Sequence, residues 1–257
     1  MNLCVDKITA ALSPESLFAG RISVEERVDS TNTRMKVLAG QGAPEGSVLL
    51  AEEQTGGRGT RGRTFYSPRG GGLYLSALLR PEVPLEELVT LTGWVAVAVR
   101  RGIFRACGVW ADIKWLNDLQ LNGRKVCGVL TELCPGGGVV VGIGVNLTQS
   151  REDFGAQGLD TIATSLGAEG YEVSREELCA AILRALEEMY RAFPGDKERW
   201  LAEYRAGCIT PGRRVVFAQP GKQMEGTALG VDDRFALTVQ GEDGGIRTVF
   251  AGAVTHL

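Results

Sequence analysis

From Trp110 onward, three strand-like runs follow one another with hops too short to hold a crossover helix. They cover residues 110–115, 125–133 and 139–147. Asn122-Gly123 separates the first two and Pro135-Gly136-Gly137-Gly138 the next two, and both are hairpin turn signals. Strands joined this way are antiparallel neighbours, because a parallel pair needs a connection of a dozen or more residues. A βαβ arrangement is thereby excluded for the middle of the chain.

Around this centre the pattern alternates helix and strand. The spacing predicts helices over 6–18, 85–107, 174–193 and 196–206, and strands over 22–28, 48–53 and 73–80. Asp29 or Ser30 is a suitable N-cap for a further helix running to about Ala39, and Ser174 with Glu177 three residues later forms a capping-box pattern. Beyond Gly207 to Gly212 only short glycine-separated strands remain, at 214–218, 223–230, 235–240 and 246–250. The expected class is α+β, a mixed or antiparallel sheet flanked by helices, with a small C-terminal β-barrel. The expected units are residues 1–208 and 209–257.

A chain of 257 residues can bury a large core. Its 44% hydrophobic and 23% charged content argue against disorder and against a membrane class. No apolar run approaches the ~18 residues that would span a bilayer. Asp6 and Lys7 interrupt the N-terminal segment, which speaks against a secretory signal and for the cytoplasm. The six cysteines are scattered without a Cys-x-x-Cys pair, so neither structural zinc nor a disulfide framework is expected. His256 is the only histidine and reads as a surface residue of the tail, so chemistry has to rest on Lys, Arg, Asp and Asn.

The most informative stretch for function is Gly57-Arg58-Gly59-Thr60-Arg61-Gly62-Arg63. From Gly56 to Gly70 there are four arginines and no acidic residue, although the net charge is −3, so the positive charge is local. Glycines let backbone N–H groups approach an anion, and guanidiniums offer paired donors to carboxylate or phosphate oxygens. The loop lacks the Gly-Lys-Ser/Thr ending of a Walker P-loop and does not open a helix, which disfavours an ordinary NTPase.

Lys114-Trp115-Leu116-Asn117-Asp118, Lys125-Val126-Cys127-Gly128 and Gly142-Ile143-Gly144-Val145-Asn146 each pass, taken singly, for a polar turn, a solvated strand end and a closely packed strand. In this order, with Asp29-Ser30-Thr31-Asn32 and Glu52-x-Gln54 ahead of them and the Gly/Arg loop between, they closely resemble the biotin protein ligases. The resemblance spans about residues 22–257.

That resemblance implies a catalytic domain of the class II aminoacyl-tRNA-synthetase-like type and an SH3-like C-terminal barrel. It implies activation of biotin by ATP and Mg²⁺ to biotinoyl-5′-AMP, then transfer to a lysine of a biotin carboxyl carrier protein or domain. It assigns catalytic roles to Lys125, Arg58 and Asp118, with Lys125 bridging the biotin carboxylate and the α-phosphate. Ser30, Thr31, Asn32, Gln54, Gly57, Arg58, Lys125 and Gly128 would hold biotin, with Val129 in the apolar wall. Arg58, Arg61, Arg63, Phe65, Lys114, Asn117 and Asn146 would hold ATP or the adenylate. Mg²⁺ would arrive with ATP, without a site built from protein ligands alone.

Two positions depart from the pattern. Thr60 stands where the family often has a basic residue, and Leu116 where a proline is usual. The glycines predict that the 56–70 segment is loose when empty and orders on a ligand. Only 28 residues precede Asp29, too few for the DNA-binding domain of bifunctional members, so no DNA or membrane partner is expected, while a homodimer is compatible with the family. The alternatives are a lipoate or octanoate ligase of the same general fold, which would lack the Gly/Arg loop, and a non-catalytic anion- or nucleic-acid-binding module, which would not need Lys125, Asn117 and Ser30.

Overall fold

The hairpins of the middle of the chain form one half of a seven-stranded sheet in the computed structural model, which describes residues 2–134, 137–219, 222–250, 252 and 254–257. In chain order the first elements are α1 (Val5–Ala10), β1 (Ile22–Glu25), α2 (Thr31–Gly40), β2 (Val48–Ala51) and β3 (Gly72–Leu79). There follow α3 (Leu85–Leu88), α4 (Leu91–Cys107), β4 (Asp112–Lys114), β5 (Asp118–Leu121), β6 (Arg124–Leu133) and β7 (Val139–Asn146). The sheet runs β1-β2-β3-β7-β6-β5-β4. β1 and β2 are parallel and every other neighbouring pair is antiparallel. The mixed α+β class holds.

β3 is buried along its whole length and β7 nearly so, because helices cover both faces of the sheet centre. α2 packs on β2, β3 and β7, while α4 packs on β6 and against α6 (Arg175–Ala192), with α5 (Arg151–Gly155) between β7 and α6 in the chain. α6 begins with the expected capping box: Ser174 Oγ accepts from Glu177 N at 3.2 Å, and the Glu177 carboxylate accepts from Ser174 N at 3.2 Å. α7 (Lys197–Gly207) leads to the C-terminal strands β8 (Arg214–Gln219), β9 (Lys222–Val231), β10 (Leu237–Gly241), β11 (Ile246–Val249) and β12 (Val254–His256). These form a separate five-stranded antiparallel sheet in the order β11-β10-β9-β8-β12.

The two sheets share one apolar core. Phe217, Phe235, Leu237 and Val239 belong to the same buried cluster as Trp94, Trp115 and Tyr204. Gly93 on α4 is what lets Phe235 in, since a Cβ there would lie 2.3 Å from Phe235 Cδ1. Trp115 Nε1 donates to Phe235 O at 2.8 Å, and Trp115 N donates to Thr210 Oγ1 at 3.0 Å.

Several elements differ from their sequence expectation. α1 stops at Ala10 rather than near 18, because Pro14 disfavours helical geometry at the residue before it. The helix expected over 85–107 is broken at Val89–Thr90, where Thr90 N bonds Glu87 O and Gly93 N bonds Thr90 O in tight i→i+3 turns. The strand expected over 110–115 shrinks to β4. An unforeseen strand, β5, follows, its apolar pattern masked by Asp118 and Gln120, so Asn122-Gly123 joins β5 to β6. Both turn residues have positive φ, 50° and 77°, as a two-residue hairpin of matching twist requires. Of the second expected turn, Pro135 and Gly136 lie outside the described residues, while Gly137 and Gly138 have φ of 87° and 100°. β12 is the other unforeseen strand. Among the described residues, no helix is long and apolar enough to cross a membrane.

Candidate active site

Side chains alternate across a strand, so Gly142 and Gly144 of β7 point to one face, and Gly128 of β6 is paired with Gly144. This strips a patch of the sheet down to backbone, and other groups move into the vacated space. A Cβ on Gly142 would lie 2.0 Å from Asn32 Oδ1, and one on Gly144 2.7 Å from Phe65 Cε1. α2, the Gly/Arg loop and this glycine floor enclose a cleft of about 420 Å³, walled by Ser30, Thr31, Gln54, Arg58, Phe65, Asn117, Lys125, Val129 and Leu130 among others.

Lys125 reaches the cleft through a defect in the sheet. It is three residues from Gly128, an odd spacing that in a regular strand would put the two on opposite faces. The β5–β6 register shifts between Leu119 and Gln120: Cys127 faces Leu119 while Lys125 faces Gln120, leaving Val126 as the extra residue of a bulge. Lys125 is thus turned onto the face of Gly128, where a Cβ would meet its Nζ at 3.0 Å. Its ammonium lies 2.6 Å from Asp118 Oδ1 and 5.7 Å from the centre of the Phe65 ring.

On the far side of Lys125 a larger cleft of about 1660 Å³ opens between the main sheet and the C-terminal one. Its wall includes the cations Lys114, Arg63 and Arg213, the aromatics Phe65, Tyr66 and Phe154, and Asp118, Asn146 and His256. Gly59, Phe65 and Lys125 line both clefts. The Lys114 ammonium is pulled below its ordinary value by burial and by the charges of Arg63 and Lys125, against the opposing pull of Asp118. This gathering of positive charge in a half-buried wall favours a polyanion.

The polar side of the smaller cleft is tightly bonded. Gln54 Oε1 accepts from Thr31 N at 2.9 Å and from Thr31 Oγ1 at 3.1 Å, and Gln54 Nε2 donates to Ser67 Oγ at 2.9 Å. Ser76 Oγ lies 2.6 Å from Asn32 Oδ1, and Asn32 Nδ2 donates to Glu132 Oε2 at 2.9 Å. Ser30 occupies the N-cap position of α2, yet its hydroxyl makes no capping bond and lines the cleft instead. Glu52 serves structure: it is 2% exposed and its carboxylate is paired with Arg175 of α6.

The predicted residues divide between the two clefts. Ser30, Thr31, Asn32, Gln54, Gly128 and Asn117 line the smaller one; Arg63, Lys114, Asp118 and Asn146 line the larger. Asn117 donates to Val129 O at 2.6 Å and lines the smaller cleft, not the larger one. Gly57 underlies the loop, where a Cβ would be 2.4 Å from Phe65 O. Arg61 lines neither cleft; it packs at Gly252 and lines a groove against β8. The expectation of His256 as a surface tail residue is corrected: it sits in β12, half-buried, with Nε2 3.1 Å from Thr210 Oγ1. Residues that escaped the sequence reading include Leu130, Tyr66, Phe154 and Arg213 in the cleft walls and, beside them, Glu132 and Lys36. Glu132 continues the alternation Gly128, Leu130, Glu132 along one face of β6, which was the available signal.

The match to the family model described as the biotin/lipoate A/B protein ligase family covers residues 24–148. The bifunctional ligase/repressor BirA of Bacillus subtilis is 36% identical over 237 residues, 88% of this chain and 71% of that protein. A biotin–[acetyl-CoA-carboxylase] ligase of Mycobacterium tuberculosis is 32% identical over 250 residues, covering 92% and 89%. Among solved structures, the biotin protein ligase of Aquifex aeolicus in complex with biotin and ATP superposes with a TM-score of 0.77 at 27% identity, over 93% of this chain and 99% of that one. The chain belongs to the biotin/lipoate A/B protein ligase family and, within it, to the biotin protein ligases.

Proposed function

We propose that this protein joins biotin to a lysine of a biotin carboxyl carrier protein or domain in two steps at the junction of the two clefts. The observation that carries this is the position of Lys125, the cation that lines both clefts. In the first step a biotin carboxylate oxygen attacks the α-phosphorus of ATP and pyrophosphate leaves. Both reactants are anions, so the step needs a cation between them and alignment at about 3 Å. Lys125 supplies the cation without exchanging a proton. In the second step the carrier lysine amine attacks the acyl carbon, AMP leaves and the amine proton passes to solvent.

Ser30, Thr31 and Gln54 would meet the ureido ring, Asn32 would brace that wall, and Gly57 and Gly128 would give the ring and chain room. Val129 would line the chain. Arg58 would close over the carboxylate, and Arg63, Lys114 and Asn146 would hold the nucleotide with Phe65 against its base. Arg61 reaches the nucleotide only if the loop shifts from the C-terminal sheet. Mg²⁺ would travel with the phosphates and offset their charge; among the described residues Asp118 is the single carboxylate on the larger wall, too few for a site without the nucleotide. Asn117 would keep the Lys114 to Asp118 turn in place. The division at 208/209 would separate catalytic domain from appendage. The reaction is expected in the cytoplasm, without DNA or membrane partners, and a homodimer is compatible with it.

Incubation with radiolabelled biotin, ATP, Mg²⁺ and a biotin carboxyl carrier domain tests this, beside a Lys125→Ala control. Label on the carrier that disappears in the control is the expected result. Transfer of lipoate or octanoate in place of biotin would assign the sister activity, and transfer of neither would return the protein to anion binding.

A further inference from the structure

Glu132 is a carboxylate that touches two residues of the smaller cleft's wall, Asn32 and Arg58, and has more partners than its charge requires. Lys36 Nζ lies 2.6 Å from Oε1, Asn32 Nδ2 donates to Oε2 at 2.9 Å, and Arg58 Nη2 and Nη1 lie 3.2 and 3.4 Å from Oε1 and Oε2. Lys36 and Asn32 both belong to α2, so they key Glu132 onto the helix that starts at the cleft. Burial works against ionisation of Glu132, but the bonds from Lys36 and Asn32 and the charges of Lys36 and Arg58 outweigh it and hold the carboxyl below its ordinary value.

One negative charge thus faces two positive ones. Lys36 neutralises it at the shorter distance, and Arg58 stays a surplus cation whose direction is fixed by a two-point contact. The hairpin of the Gly/Arg loop is closed within itself by Gly59 N to Arg63 O at 2.7 Å and Phe65 N to Gly57 O at 2.8 Å. Neither bond says where the loop lies over the cleft. Arg58 to Glu132 is a contact that does, because it reaches from the loop to β6.

We propose that Glu132 is the positioning residue of the Gly/Arg loop: fixed to α2 by Lys36 and Asn32, it docks the loop over the smaller cleft through Arg58 and presents that guanidinium to the incoming carboxylate. The consequence for biotin affinity rests on the biotin-ligase reading; the docking of the loop does not.

Amide hydrogen exchange of the ligand-free full-length protein tests the docking. Glu132→Gln and Arg58→Gln are each expected to speed exchange at 57–64 about fivefold, the double variant no more than either alone, with α2 and β6 unchanged. Lys36→Met, which leaves Arg58 as the cation on Glu132 with the Asn32 bond still holding the carboxylate, is expected not to speed it. Unchanged loop exchange in Glu132→Gln, additive effects in the double variant, or equal loss of protection across α2 and β6 would overturn the proposal. In turnover, Glu132→Gln is expected to raise KM for biotin about fivefold with kcat within twofold. A fall in kcat at constant KM would overturn the presenting role. A wild-type enzyme that transfers no biotin would defeat the ligase reading while leaving the exchange result to stand.

Discussion

Lys125 and Asp118 meet at 2.6 Å because a bulge at Val126 turns the lysine onto the face that Asp118 and Gly128 already share. The pair sits where a small glycine-floored cleft joins a large cationic one. Lys125→Ala is expected to lower biotin-dependent pyrophosphate release from ATP by about 10²–10³-fold, the scale of one lost preorganised donor. Asp118→Asn leaves Lys125 in place but less firmly held, and about tenfold is expected. Equal rates in wild type and Lys125→Ala, read by a pyrophosphate assay, would remove Lys125 from the chemistry.

Gly144 tests the floor of the cleft. Its missing Cβ makes room for Phe65, whose Cε1 would otherwise be 2.7 Å away. Gly144→Ala is expected to push Phe65 off the sheet, weaken biotin binding at least tenfold by calorimetry and cost about 1–3 kcal/mol of stability through overpacking.

Thr60 lines the larger cleft in the short turn Thr60–Gly62, an uncharged residue between Arg58 and Arg61. A guanidinium placed there would add one charge-assisted bond to the acyl-adenylate, worth roughly 1.5–3 kcal/mol. Thr60→Arg is therefore expected to slow release of the intermediate by about tenfold or more in a filter-binding chase. Identical release rates would mean that the residue at this position does not retain the adenylate.

His256 gives a pH signature. Burial first, then the positive charges of Lys114 and Arg213, bring its pKa from the ordinary 6.5 down to about 4. The unfolded chain therefore binds the proton over a range in which the folded chain does not, and stability falls as pH drops from 6.5 towards 4. His256→Gln is expected to flatten that part of a urea-denaturation profile and leave the region above pH 7 unchanged. A parallel loss in both proteins would place the acid sensitivity elsewhere.

Much of the site is legible in residue order, since Ser30, Gln54, Arg58, Lys114, Lys125 and the glycines of β7 are all recognisable as short motifs. Local chemistry marks them: glycines where backbone has to be bare, basic residues in a stretch free of acids. Glu132 and Lys36 are not legible as a pair: alternation along β6 marks only the face Glu132 occupies, and nothing local joins it to a helix lysine until α2 packs on the sheet. His256 is misread for the same reason, because a residue beside the C-terminus is buried only by what folds against it.

The sequence by itself determines the antiparallel centre, the capped helix at Ser174, the glycine-rich anion loop and the change to short strands near Gly207, because turn chemistry, periodicity and local charge act over a few residues. Tertiary structure alone decides that Lys125 faces Gly128, that Arg58 rests on Glu132, that Arg61 turns to the C-terminal sheet and that His256 enters the wall of the larger cleft. Those outcomes depend on strand register, on one extra residue in a bulge and on contacts between residues tens to nearly two hundred positions apart, and no local pattern encodes them.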